Sequence, residues 1–181
     1  MNCLDLGDVA LHYADTGPRD APALVFANSL GTDFRLWDEV LPHLPAGLRV
    51  IRYDKRGHGL SSCPPAPYSM GALVHDAERL LEALGVRDCV FVGLSIGGMV
   101  AQVLAAKRLD LVRAVVLSNT APKIGTRAMW DERIAMVEAQ GLPAMSDAIM
   151  ERWFSRAFRD SPAVMPWRRM AEVTPAAGYA G

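Results

Sequence analysis

Short, nearly all-apolar runs recur along the chain: Ala23-Leu24-Val25-Phe26, Val50-Ile51-Arg52-Tyr53, Cys89-Val90-Phe91-Val92 and Val112-Arg113-Ala114-Val115-Val116-Leu117-Ser118. Their length and lack of alternation predict strands buried on both faces, as in a parallel sheet. An earlier segment, Val9-Ala10-Leu11-His12-Tyr13-Ala14, alternates apolar with polar residues before a turn-rich stretch at 16–22, and predicts a strand or hairpin at a sheet edge. Between the runs the period becomes helical. Helices are expected over Phe34 to Leu44, over Met70 to Leu84 and from Ser95 through Lys107; the second has one apolar stripe of Leu73, Val74, Ala77, Leu80, Leu81 and Leu84, with Gly85 as its stop. This alternation specifies a doubly wound, mostly parallel α/β sheet. After Asn119 it ceases, and three helical stretches follow without a strand, at about Thr126 to Gln140, Pro143 to Phe158 and Ser161 to Val173. Gly141, Pro143 and Ser161-Pro162 punctuate their junctions. The expected organisation is a core over 1–121, a helical cap over 122–175 and the start of a return to the core over 176–181.

Composition narrows the partners. The 181 residues are 51% hydrophobic, and 19 basic residues stand against 20 acidic ones for a formal net charge of −1. That suits a globular chain with a sizeable core and gives no electrostatic footprint for nucleic acid or an anionic membrane, so a small-molecule substrate is expected. The opening Met1-Asn2-Cys3-Leu4-Asp5-Leu6 lacks the basic and apolar regions of a signal peptide, and no apolar run reaches membrane-spanning length. A cytoplasmic protein is expected. Cys3, Cys63 and Cys89 are odd in number and show no C-x-x-C spacing, which points to neither a disulfide framework nor a thiolate zinc site. Cys89, inside an apolar run, reads as a reduced core residue.

The chemistry centres on Gly93-Leu94-Ser95-Ile96-Gly97, a G-x-S-x-G sequence that follows a buried strand and opens a helix. In that setting the glycines allow a tight turn, the serine hydroxyl is pushed out of the sheet as a nucleophile, and the Ile96 N–H points at a developing oxyanion. A glycine turn serving only close packing or phosphate binding explains the glycines but not the hydroxyl between them. A second oxyanion donor is expected after the Ala23 run, in Asn28-Ser29-Leu30-Gly31, with Leu30 N–H as the choice. Asp54-Lys55-Arg56-Gly57-His58-Gly59-Leu60-Ser61 reads as a structural turn tied by Asp54 and Arg56 through charge-assisted hydrogen bonds.

A serine needs a base, and no histidine follows Ser95. His12, His43, His58 and His75 all precede it, and each has an ordinary explanation: strand alternation for His12, surface for His43 and His75, the turn for His58. His58 is the least implausible base of the four. Asp110, Asp131, Asp147 and Asp160 lie in loop or helical patterns that single out no acid, and Asn119 rather than a carboxylate follows the last strand. The expectation is that strands bearing the acid and the histidine are absent from this chain. Val112–Ser118 would then form an apolar, unpaired edge prone to self-association.

On these motifs, with Phe26 through Asp33, Leu117-Ser118-Asn119-Thr120-Ala121 and Thr174-Pro175 through Gly178-Tyr179-Ala180-Gly181, the chain resembles the 3-oxoadipate enol-lactonases of the α/β-hydrolase superfamily. The resemblance implies an α/β-hydrolase fold and hydrolysis of a carboxylated enol-lactone to 3-oxoadipate in the β-ketoadipate pathway of aromatic degradation, with no metal or organic cofactor. In the family the chain continues past the Gly-Tyr-Ala-Gly into strands bearing Asp and His, so activity of these 181 residues alone is expected to be impaired. A carboxylated substrate needs a cation. Arg133 is the candidate, because Met129, Trp130, Met136 and Val137, its helical neighbours, include no acid, and Trp130 is placed to wall the pocket beside it. Trp153 and Met150 are read as cap core. Esterases, perhydrolase-type haloperoxidases and C–C hydrolases share the same elbow, and a hydrolase-derived binding protein with a vestigial Ser95 is the alternative from outside the enzymes.

Overall fold

The computed structural model describes residues 2–181. Six strands, β1 (Asn2–Asp5), β2 (Ala10–Thr16), β3 (Ala23–Ala27), β4 (Arg49–Tyr53), β5 (Cys89–Leu94) and β6 (Val112–Ser118), form one sheet in the order β1-β2-β4-β3-β5-β6. β4, β3, β5 and β6 run parallel, whereas β1–β2 and β2–β4 pair antiparallel. The alternating N-terminal segment is therefore the second strand of an edge hairpin. Its outer partner β1 escaped the sequence reading because Asn2, Cys3 and Asp5 are exposed and leave no apolar run.

Helix α1 (Met70–Ala83) starts where the Ser69 hydroxyl accepts from the Ala72 N–H, buries the stripe from Leu73 to Leu81, and gives way at Leu84 and Gly85, whose φ is +65°. It packs against α2 (Ile96–Lys107), which lies on β5 and β6. Their inner faces close a core around Val25, Ile51, Phe91, Leu80 and Leu104.

The helix expected over Phe34 to Leu44 is not formed. Two 3₁₀ turns stand there, Phe34–Trp37 and Leu41–His43, because Asp33 caps the first by accepting from the Arg35 N–H and Pro42, without an N–H, starts the second. The later stretches divide likewise. α3 (Arg127–Gln140) is one helix as expected, but Pro143 to Phe158 splits into a 3₁₀ turn, α4 (Ser146–Trp153) and α5 (Arg156–Arg159), because Phe154 turns extended and the Ser155 hydroxyl caps a new start. Ser161 to Val173 gives a further 3₁₀ turn and α6 (Met165–Glu172), and Pro175 introduces α7 (Ala176–Ala180), which periodicity did not predict. These helices share a second core of Val137, Leu142, Ile149, Met150, Ala171 and Tyr179. None of the described helices is long and apolar enough to cross a membrane.

β6 has β5 on one side and no strand on the other among the described residues, and Val116 and Leu117 stand 50% and 46% exposed. The register positions the site. Ala27 lies beside both Tyr53 and Gly93, and Gly93 beside Leu117, so β3, β4, β5 and β6 end in one row and release their loops at the same edge. In parallel sheets that carboxyl edge is where ligands bind.

Candidate active site

Ser95 sits at the step from β5 into α2 with φ 55° and ψ −117°, a left-handed, sparsely populated conformation for a residue with a side chain. Two glycines make the step sterically possible. A Cβ on Gly97 would stand 2.2 Å from the Ala27 carbonyl oxygen, and one on Gly93 would stand 2.3 Å from that of Gly97. The strained backbone is anchored at both ends: Ser95 N–H donates to the Ser118 carbonyl at 3.0 Å, and the Ser95 carbonyl accepts from Thr120 Oγ1 at 2.7 Å. Ser95 is half-buried at the wall of a cavity of about 240 Å³.

Leu30 and Ile96 line that cavity with it. Neither backbone N–H has a protein acceptor among the described residues; Ile96 is the first residue of α2, where helical N–H groups have no partner within the helix. The Leu30 loop is held from below by the β4 loop. Lys55 Nζ donates to the Ser29 carbonyl at 2.6 Å, Asn28 Nδ2 to the Tyr53 carbonyl at 3.0 Å, and Trp37 Nε1 to Asn28 Oδ1 at 2.7 Å. His58 Nε2 accepts from the Gly31 N–H at 3.1 Å while Nδ1 sits 3.2 Å from the Arg56 carbonyl, which it reaches as a donor.

This answers the question of His58. Both ring nitrogens are engaged inside the turn, and burial together with the nearby Lys55 ammonium holds its pKa well below the ordinary imidazole value. His58 fastens a loop and is not turned to Ser95. His12 is likewise occupied, 2.8 Å from Asp54 and stacked on Phe34. His43 and His75 are exposed. Asp54 also accepts from the Phe34 and Leu60 N–H groups at 2.7 and 3.0 Å. Arg56 holds Asp76 through two 2.6 Å hydrogen bonds, so the turn is tied as its sequence implied. Asp110, Asp131, Asp147 and Asp160 are all exposed, each beside an arginine, and none lines the cavity.

Apart from Ser29 and Tyr179, the rest of the lining is apolar or cationic. Arg133 and Trp130 both face the cavity, with the guanidinium 5.8 Å from the indole ring centroid, within cation–π range. Neither Arg133 nor Arg152, which also lines the cavity, forms an ion pair among the described residues, and no acidic side chain is in the lining. Trp153 reaches the wall as well as the second core, a correction to its reading as cap core alone, whereas Met150 is 1% exposed within that core. The sequence reading passed over Arg152, yet the test that picked Arg133 applies to it: Ala148, Ile149, Ser155 and Arg156, its helical-spacing neighbours, include no acid. Tyr179 from α7 closes the far wall, and no local signal in the sequence connects it with Ser95. Among the described residues no three His, Cys, Asp or Glu side chains gather as a metal ion would require.

A family model described as alpha/beta hydrolase fold matches residues 22–159. The chain is 40% identical over 159 residues to 3-oxoadipate enol-lactonase 2 of Acinetobacter baylyi, an alignment covering 87% of this chain and 60% of that protein. Among solved structures, a hydrolase from Pseudomonas aeruginosa superposes with a TM-score of 0.94 at 41% identity, covering 99% of this chain and 69% of the other. An enol-lactonase from Burkholderia xenovorans gives a TM-score of 0.94 at 36% identity, with 99% and 70% covered. The chain thus spans 60–62% of the length of the curated enol-lactonases it matches.

Proposed function

The chain belongs to the alpha/beta hydrolase fold family, and on that premise we propose that Ser95 is the nucleophile of an ester hydrolase of the enol-lactonase type. The observation that carries this reading is the strained Ser95 beside two unpartnered amides, Leu30 and Ile96, in one cavity. Ser95 Oγ attacks the lactone carbonyl carbon as its proton passes to solvent, the two N–H groups hold the oxyanion, and the ring C–O bond breaks with the enol oxygen taking a proton from solvent; water then cleaves the acyl–Ser95 ester, leaving the carboxylic acid and the restored hydroxyl.

The substrate class follows from the wall. An apolar cavity with Arg133 and Trp130 on one side and no carboxylate suits a small lactone bearing a carboxylate, which Arg133 meets through its planar pair of donors. Hydrolysis of such an enol-lactone to 3-oxoadipate, in cytoplasmic aromatic catabolism, is the role consistent with the named relatives. The base is the open part. With His12 and His58 engaged elsewhere, His43 and His75 exposed, and no histidine in the cavity lining, ester turnover by these 181 residues is impaired, with residual rate from the oxyanion hole and binding. The same observation supports a second reading, a hydrolase-derived binding protein. We further divide the chain into a core at 1–121, a cap at 122–175 and a return toward the core at 176–181, and propose that the bare β6 edge drives self-association.

A fluorophosphonate tests both serine and cation without requiring turnover. The expected result is a slow adduct on Ser95, located by peptide mass, that a carboxylated γ-lactone suppresses better than its neutral methyl ester. Arg133→Ala should remove that preference, by roughly tenfold for a desolvated charge pair. Absence of an adduct on Ser95 contradicts the nucleophile; an unchanged preference contradicts the cation.

A further inference from the structure

Lys55 is a buried ammonium whose hydrogen-bond partners are backbone carbonyls rather than a carboxylate. The residue is 8% exposed, yet its amine donates at 2.6 Å to the carbonyl of Ser29 and approaches that of Thr32 at 3.4 Å. Thr32 Oγ1 donates to the same Ser29 carbonyl at 2.8 Å, so both lone pairs of that oxygen are used. Ser29 C=O and Leu30 N–H belong to one peptide unit, and that unit is trans, so the two groups point in opposite directions. One end of the peptide is therefore clamped by a cation and a hydroxyl, while the other ends in the N–H of Leu30, a residue of the cavity wall, which has no protein acceptor among the described residues.

We propose that Lys55 is a positioning residue for oxyanion binding, fixing the Ser29–Leu30 peptide in one orientation and polarising it so that the Leu30 N–H is a stronger donor. The inference rests on the reading of Leu30 N–H as an oxyanion donor and adds to it the group that controls its strength. Two physical effects favour it. A flip of this peptide would break both hydrogen bonds at Ser29 and leave a buried cation underpaired, a large cost. A hydrogen bond to a charged donor also draws electron density from the carbonyl, and hydrogen bonds in such a chain strengthen one another in a low-dielectric interior. The other titratable groups around the amine are Asp33, Asp54 and His58. Burial opposes the two carboxylates and brings the amine down to about 7, so both charge states are accessible under mild conditions.

The test compares the 181-residue chain with Lys55→Met. At Ser95 a fluorophosphonate forms an O–P bond as fluoride leaves and the serine proton passes to solvent. We expect Lys55→Met, folded by circular dichroism, to slow this labelling at least about tenfold, part of the roughly 10²–10³-fold that losing a whole oxyanion donor costs. In the wild type the Leu30 amide proton and nitrogen shifts should follow the Lys55 Nζ titration between about pH 5 and 9. Lys55→Met, which keeps Asp33, Asp54 and His58, should abolish that step. A folded variant labelled within about twofold of wild type, or a Leu30 amide that ignores the Lys55 titration, overturns the proposal. If Lys55→Met fails to fold, the wild-type amide titration decides by itself. If wild-type Ser95 takes no label, the nucleophile reading fails separately, and the amide titration still decides this inference.

Discussion

The two flanks of Ser95 are built to different standards. On the β3–β4 side, the loops are locked together by Lys55, His58, Asn28 and Trp37 and seated on a buried lattice of Asp54, Arg56 and Asp76. On the β6 side, the strand is an open edge with exposed Val116 and Leu117, and beyond it Asn119 has a positive φ and its side chain accepts from the Ser118 hydroxyl. On the proposed reading, the difference maps onto two needs of serine chemistry. Stabilising an oxyanion requires donors that do not reorganise, and the β3–β4 flank supplies rigidity; activating the hydroxyl requires a base, and the β6 flank presents none among the described residues.

Breaking the rigid flank should have the largest effect. Asp76 is 1% exposed and accepts from Arg56 and Arg79 at 2.6 and 2.8 Å, so Asp76→Ala leaves the buried Arg56 guanidinium with only the exposed Asp8 carboxylate, 3.1 Å away. Chemical denaturation should show a loss of ~3–5 kcal/mol. An intermediate effect comes from Lys55. Its folded-state pKa of about 7 lies below the ordinary 10.5, so the folded chain bears the full cost of the buried ammonium below about 7. As pH rises from about 7 toward 10.5 the unfolded chain binds more protons than the folded one, and stability gains. Wild-type stability should therefore rise relative to that of Lys55→Met over that window, and a constant difference would show that the amine titrates normally. The smallest effect belongs to the open flank: Leu117→Lys should change stability by only about 0.5 kcal/mol, as for most surface substitutions, while lowering any self-association seen by sedimentation velocity. Unchanged association would move the interface elsewhere.

Much of this contrast was legible in the sequence, for definable reasons. Buried parallel strands have a strong signature, and the turn at Ser95 is dictated by contacts as short as the 2.2 Å that a Gly97 Cβ would make, so the strands and the sharp turn at Ser95 could be read locally. The Phe34 to Leu44 segment failed because capping by Asp33 and a proline overrode an apolar spacing that fits a helix. Lys55 was hidden inside a stretch read as a structural turn tied by Asp54 and Arg56; only the register that puts Tyr53 beside Ala27 brings its amine under the Ser29 carbonyl. Tyr179 and Arg152 reach the cavity through packing of the later helices, a long-range outcome that no window of sequence encodes.

The central proposal is that Ser95 is a positioned nucleophile with no histidine turned to it among the described residues. Chemical rescue tests it most directly: initial rates of p-nitrophenyl acetate hydrolysis by the 181-residue chain and by Ser95→Ala, each with and without added imidazole. The account predicts a low rate alone and an imidazole-dependent increment present only when Ser95 is intact. Equal increments in both proteins, or a full hydrolase rate without imidazole, would contradict it.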